Sequence, residues 1–376
     1  MRRLIICIIS AGLLCILALS GIRAQDVADV SFFRGDTSGS GLYDAPALRV
    51  KPVLRWSFAI PRPVRTTPAV TDERVYAGSE NGILYAIARE TGTEVWRFET
   101  DEPIVSTPAV VDDLLVVGGL DGNVYALDAA TGSERWRYET AREVYSSPVI
   151  SEGVVYIGGL DGSLYALDAA TGTLVWRSEI GGQVWSSPTL ADGVVFVGSR
   201  ANTLSALDAA TGALIWSFAA EGWIDATPAV IEDTVYAGSH DGNFYALDAT
   251  TGEMRWSFAA GSPIYASAAL ADGRVYSYSH DGNLFALDTA TGTLLWQFDL
   301  GEPAYASPAL ADGVLYAVSE KDGLLYTLDA ATGTELWRYQ TGRQGDFRSS
   351  SAVPYGDTLY VGSNTEGVVA LGGQAG

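Results

Sequence analysis

The chain has 376 residues, 48% of them hydrophobic, and 45 acidic against 23 basic side chains give a net charge of −22. So large an acidic excess argues against binding nucleic acid or an anionic membrane surface through charge, since either needs a basic face. The two cysteines are Cys7 and Cys15, which leaves the rest of the chain with no disulfide framework and no thiol chemistry.

The first element is a targeting segment. Met1-Arg2-Arg3 is a short basic region, the run from Leu4 to Gly21 carries no charge, and Ile22-Arg23-Ala24 precedes Gln25 as a cleavage site. This predicts a signal peptide over residues 1–24 and an exported product, periplasmic or extracellular, with no integral membrane domain after cleavage. Left uncleaved, the same run is long enough to anchor the protein in a membrane. The bulky Leu14 before Cys15 is wrong for a lipoprotein cleavage site, so no lipid anchor is expected.

Residues 25–52 read as a leader. Next comes VLRWSF, Val53 to Phe58, which looks like the last strand of a unit not yet begun. Its tryptophan starts a series at 56, 96, 136, 176, 216, 256, 296 and 337, spaced by 40 residues six times and then by 41. Such a period is the mark of a repeat architecture. One unit, Ser146 to Glu179, divides into four apolar strands: Ser146 to Ile150, Val154 to Gly159, Leu164 to Asp168 and Leu174 to Glu179. Gly-containing links of hairpin length separate them. Four strands per 40 residues predict a β-propeller.

Thr-Gly turns before the tryptophan strand occur seven times, giving seven complete blades. Three more strands follow, at Ser350 to Val353, Thr358 to Ser363 and Gly367 to Leu371, and no tryptophan strand comes after them. VLRWSF supplies the missing fourth. The expected fold is therefore all-β: an eight-bladed propeller of four-stranded antiparallel blades over residues 53–373, closed by residues 53–58. A monomer is expected. The repeated Trp, the Asp168-type residues and the Thr-Gly pairs are read as structural, through inter-sheet packing and turn chemistry.

The repeat YALDAATGxxxW, seen from Tyr125 to Trp136 and Tyr165 to Trp176 and with one change from Tyr245 to Trp256, resembles the pyrroloquinoline-quinone (PQQ)-like repeat. That family includes the quinoprotein alcohol dehydrogenases and the outer-membrane assembly lipoprotein BamB, both eight-bladed propellers. Phe33-Arg34-Gly35-Asp36 resembles the leader of exported members, and Arg34-Gly35-Asp36 also has the order of an integrin-binding tripeptide. The resemblance implies two kinds of function. The dehydrogenases stack the quinone between a tryptophan and a disulfide of adjacent cysteines, hold Ca²⁺ with acidic and amide side chains, use an Asp base, and carry large insertions. This chain has near-uniform units and no cysteine beyond Cys15. The BamB-like members are non-catalytic scaffolds that expose loops to partner proteins, and the chain is of their size.

Positions where the repeats disagree are candidates for use. Three residues before the Pro of each first strand stand Arg65, Val105, Tyr145, Trp185, Asp225, Tyr265, Tyr305 and Ser349. The start of an innermost strand lies at the mouth of the central channel, so these residues would ring it, and aromatic faces with a few charges suit a flat or sugar-like ligand. The turn between second and third strands reads Glu80, Leu120, Leu160, Arg200, His240, His280, Glu320 and Asn364, on the same face by topology. With Trp223 in a neighbouring connection, blades four to six hold the most departures. Blade six also has Tyr278 where most units have Gly, and Ala268 where most have Pro.

No nucleophile–His–acid set, phosphate-cradling Gly loop or Cys/His metal spacing occurs, so no catalytic residue and no metal site is assigned. The leading expectation is an exported non-catalytic scaffold that needs no cofactor and binds a protein partner, or a small or glycan ligand, through the channel mouth (Arg65, Tyr145, Trp185, Asp225, Tyr265, Tyr305) and top-face loops (Arg200, Trp223, His240, His280, Glu320). The alternatives are an oxidoreductase or sensor that binds PQQ with Ca²⁺, and a polysaccharide-binding module.

Overall fold

The computed structural model describes residues 30–301, 303, 305–319, 323–340 and 350–373; the predicted signal peptide, Ser349 and Glu320 lie outside them. Among the described residues the regular structure is β throughout, in eight separate antiparallel sheets. Blade three is representative. Its strands are Val149–Ser151, Val154–Gly158, Ser163–Asp168 and Leu174–Glu179. Glu152 and Gly153 both take positive φ in the first hairpin, as a tight two-residue link between twisted strands requires. The first strand starts three residues later than the sequence predicts, because the Ser147 amide bonds to Ser187 of the neighbouring blade and Pro148 has no N–H to give its own sheet.

Two circles of hydrogen bonds join the blades. In the inner circle, the amide of Thr67 donates to the hydroxyl of Thr107 at 3.1 Å, Thr107 to Ser147 at 3.0 Å, and Ser147 to Ser187 at 2.9 Å. Ser187 donates to Thr227, Thr227 to Ser267, Ser267 to Ser307 and Ser307 to Ser351, at 2.9–3.2 Å. Ser351 returns to Thr67 at 3.1 Å and closes the circle.

In the outer circle, every repeat tryptophan but Trp337 donates its indole N–H to a carbonyl of the next blade. Trp136 bonds Ala169 at 2.8 Å and Trp176 bonds Ala209 at 2.9 Å. The Thr-Gly turn lies on the ring of the preceding tryptophan: a Cβ on Gly172, where φ is +71°, would come within 2.6 Å of Trp136 Cδ2. This glycine thus answers both to the turn and to the close approach of an indole. Blade eight has no such turn, and there the leader substitutes, with Trp337 donating to the Leu48 carbonyl at 2.6 Å.

The N-terminal strand closes the ring as predicted. Val53–Phe58 pairs antiparallel with Gly367–Gly372, Val53 opposite Gly372 and Phe58 opposite Val368, and forms the outer strand of blade eight. From there Trp56 donates to the Arg89 carbonyl of blade one at 2.8 Å.

The leader runs beneath the ring. Val30–Ser31 adds a fifth strand beside Ala109–Val111 of blade two. Further along, the carbonyls of Thr37, Ser38, Ser40 and Gly41 accept the amides of Leu190, Val230, Leu270 and Leu310, at one equivalent position in blades four to seven, over 2.7–2.9 Å. The same position in blade eight is Pro354, which has no N–H to satisfy. Arg34 is wholly buried by this course, so Arg34-Gly35-Asp36 is not presented for recognition as an integrin motif would be.

Deleting residues 25–60 removes two strands, a hydrogen-bonded belt and two links of the outer circle. The expected outcome is a single thermal transition shifted down for the whole molecule by about 10 °C or more, followed by circular dichroism. An unchanged cooperative melt would contradict closure by the N-terminal strand.

Candidate functional site: the collar at the channel mouth

The channel opens at the face where the first strands begin. Arg65, Val105, Tyr145, Trp185, Asp225, Tyr265 and Tyr305 line one cavity there, together with Arg200, of about 440 Å³. Below it the hydroxyl circle narrows the channel to a space of about 160 Å³, against which Phe33 of the leader sits. The channel is therefore a cup with a floor. Seven of the eight mouth positions read from the sequence come together in this cavity; the eighth, Ser349, lies outside the described residues.

The two sets of variable positions interlock. Glu80, Arg200, His240 and His280 each lean on a mouth residue of their own blade or of the next. Glu80 pairs with Arg65 at 2.5 Å. His240 Nε2 lies 3.2 Å from Asp225 Oδ2, and its ring lies 4.3 Å from that of Tyr265. The His280 ring packs 5.1 Å from Tyr265 and 4.9 Å from Tyr305. Arg200 crosses to the next blade, where Nη2 donates to Asp225 Oδ2 at 2.9 Å and Nε lies 3.1 and 3.2 Å from the two oxygens.

Arg200 is the centre of this arrangement. Its guanidinium carbon lies 3.9 Å from the ring centre of Trp185 and 4.5 Å from that of Trp223. Trp185 in turn stacks on Tyr145 at 3.9 Å and donates its N–H to Gln183. The result is a continuous chain of tilted and edge-on contacts through Tyr145, Trp185, Arg200, Trp223, His240, Tyr265, His280 and Tyr305 along one side of the mouth. Cation–π contact and a bidentate carboxylate hold the arginine together. The blade-four turn that carries it departs from Leu-Asp-Gly in sequence but keeps the backbone: Asn202 takes the positive φ, +65°, that Gly takes elsewhere.

Burial pushes the Asp225 carboxyl up, yet the close approach of His240 and the hydrogen bonds and charge of Arg200 outweigh it and hold the group below its ordinary value. Trp185 lies between Tyr145 of blade three and an arginine that leans to blade five. Its ring is engaged by both neighbours and stays partly exposed. What the collar exposes is its rim, where Trp223 and Tyr305 are 44% and 36% exposed. Sequence reasoning missed the hydroxyl circle, Gln183 and the role of Phe33. The hydroxyls did have a signal: the residue two after each mouth position is Ser or Thr in all eight blades.

The donor set does not fit a calcium-held quinone. PQQ is a tricarboxylate, and both guanidiniums at the mouth are already committed to carboxylates, Arg65 to Glu80 and Arg200 to Asp225. Among the described residues no three His, Cys, Asp or Glu side chains gather where they could hold a metal ion, and Ca²⁺ needs six or more oxygen ligands.

A closed ring of eight four-stranded sheets, with repeat tryptophans between blades, is an eight-bladed propeller of the PQQ-like repeat class. The chain belongs to the family described as outer membrane protein assembly factor BamB, whose model matches residues 53–160, 80–182, 160–270 and 256–376. No curated protein sequence matches it. Among solved structures it is similar to BamB from Moraxella catarrhalis, with 24% identity, TM-score 0.72, and 85% of this chain and 99% of that one covered. The quinohemoprotein alcohol dehydrogenase from Comamonas testosteroni is 18% identical, with TM-score 0.79 and coverage of 93% and 81%. A computationally designed protein, Ika8, is 19% identical, with TM-score 0.76 and coverage of 85% and 99%. At these identities the structural likeness is one of fold. No helix among the described residues is long and apolar enough to cross a membrane.

Arg200→Ala leaves Asp225 half-buried against aromatic rings without its main partner. The expected loss is on the order of 3 kcal/mol at pH 7, measured by urea unfolding. A carboxyl with a depressed pKa stabilises the fold above its ordinary value near 4, and that stabilisation is lost as the pH falls through the depressed value. The gap between wild type and variant should therefore narrow below pH 4. A gap independent of pH would mean that Arg200 acts through stacking alone.

Proposed function

We propose that this chain is an exported, non-catalytic scaffold that docks protein partners on the collar face, in the outer-membrane protein assembly role for which its family is described. The observation that carries this reading is the collar itself: Trp223 and Tyr305 are exposed on a rim whose base is already stacked and ion-paired. Trp, Tyr and Arg dominate the energetics of protein interfaces. Groups already held in place lose little further freedom on binding. A face built from saturated stacks and neutralised charges suits a protein surface better than a small polyanion or a free sugar ring. The reading requires no cofactor. It places the mature protein in the periplasm with a single-chain propeller as the working unit.

Genetic complementation tests it. Deletion of the gene should lower the amount of β-barrel proteins in the outer membrane, and the wild-type gene should restore them. The double variant Trp223→Ala/Tyr305→Ala should fail to restore them while melting within about 2 °C of wild type, because both side chains are largely at the rim. Full restoration by the folded double variant would overturn the assignment of the collar as the docking face.

A further inference from the structure

Arg34 carries the most deeply buried positive charge in the described part of the molecule, and half of its guanidinium has no partner. Its side chain is 0% exposed. Nη2 donates to the carbonyls of Ala268 and Pro308, at 2.5 and 2.7 Å, in the innermost strands of blades six and seven. Nε and Nη1 are buried and bonded to nothing. No carboxylate is in contact with it. Asp36, two residues on, is occupied by the Ser38 hydroxyl and by the amide and hydroxyl of Ser40.

Two phenols share this situation. The hydroxyls of Tyr278 and Tyr43 are buried and also without a partner. Both lie within the field of the Arg34 charge, which favours their ionised forms, but burial dominates: it raises both, Tyr43 to about 12. Both phenols are therefore protonated at neutral pH and available as donors. Burial also pulls Arg34 down, and the charge of nearby Asp36, which makes no contact with the guanidinium, offsets only part of that. Tyr278 is the residue that replaces the usual Gly of a second strand, and Ala268 replaces the usual Pro of a first strand. The two departures of blade six thus meet at Arg34.

We propose that a small monovalent anion, chloride in a saline exterior, binds between the leader and blades six and seven, held by Arg34 Nε and Nη1 and by the hydroxyls of Tyr278 and Tyr43. The chemistry is one-sided. Guanidinium N–H groups and phenol O–H groups are donors, and the nearest carboxylate is already satisfied, so the site offers nothing to a cation. An unpaired buried charge is costly, and a counter-ion offsets that cost. The anion would fasten the belt beneath the ring, since Arg34 belongs to the leader and Tyr278 to a blade. Ring closure would then depend on chloride.

The test uses the mature protein. Crystals soaked in sodium bromide should show an anomalous bromine peak in contact with Arg34 and with the Tyr278 hydroxyl. The melting temperature should rise with the logarithm of chloride concentration and stay flat in sodium gluconate of equal ionic strength, as linkage to a ligand of the folded state requires. Tyr278→Phe keeps the ring and removes one donor, so the chloride-dependent rise should shrink by at least half. No bromine peak with an ordered water in its place, or identical melts in the two salts, would overturn the proposal.

Discussion

Each blade begins with an amide that its own sheet does not satisfy, and the hydroxyl of the next blade accepts it. Leaving such a buried amide without a partner costs about 1–3 kcal/mol, so a missing neighbour is felt directly. Eight of these bonds, from Thr67 round to Ser351 and back, form a closed circle with no free end. A line of blades would leave one amide and one hydroxyl orphaned at its tips. The circle therefore makes the number of blades and the join between chain ends a single requirement, and the tryptophan circle repeats it at larger radius. With no cysteine in the described residues, these bonds and the packing around them hold the ends together.

The collar stands on this invariant base. Because the hydroxyl position is fixed two residues on, the mouth position is held at the channel opening in blades one to seven, and its side chain is free to vary. Blades three to seven use that freedom to build one chain of ring contacts, from Tyr145 to Tyr305, with Arg200 as its ionic centre. The floor of the same channel is set from below, where the leader brings Phe33 and Arg34 inward. The collar and the floor therefore belong to one channel, wide at the mouth and narrowed at the hydroxyl circle.

Much of the architecture was legible because the repeat acts as an internal alignment. The tryptophan spacing gives the blade count, and VLRWSF reveals how the ring closes. The mouth residues and turn residues were legible as two separate sets, since each varies at a fixed place in the unit. Their interlocking was not, because it depends on side-chain reach: Arg200 spans to Asp225 in the next blade, and sequence spacing does not encode that direction. The contacts of Trp185 were hidden for the same reason, as Tyr145 and Arg200 come from two other parts of the ring. The leader was opaque for a different reason. It belongs to no repeat, so nothing in the chain could be compared with Arg34 or Phe33. The hydroxyl circle was overlooked in spite of being invariant, because Ser and Thr near a strand start read as ordinary turn residues.

The most direct measurement is native-state hydrogen exchange of the eight circle amides, resolved residue by residue. If the circle is one cooperative unit, the amides of Thr67 and Ser351 at the join exchange only through global unfolding, with the same free energy as those of Ser147 and Ser187 in the middle of the chain. Faster exchange of Thr67 and Ser351 alone would show that the ring opens at the junction and that closure is not what holds the blades together.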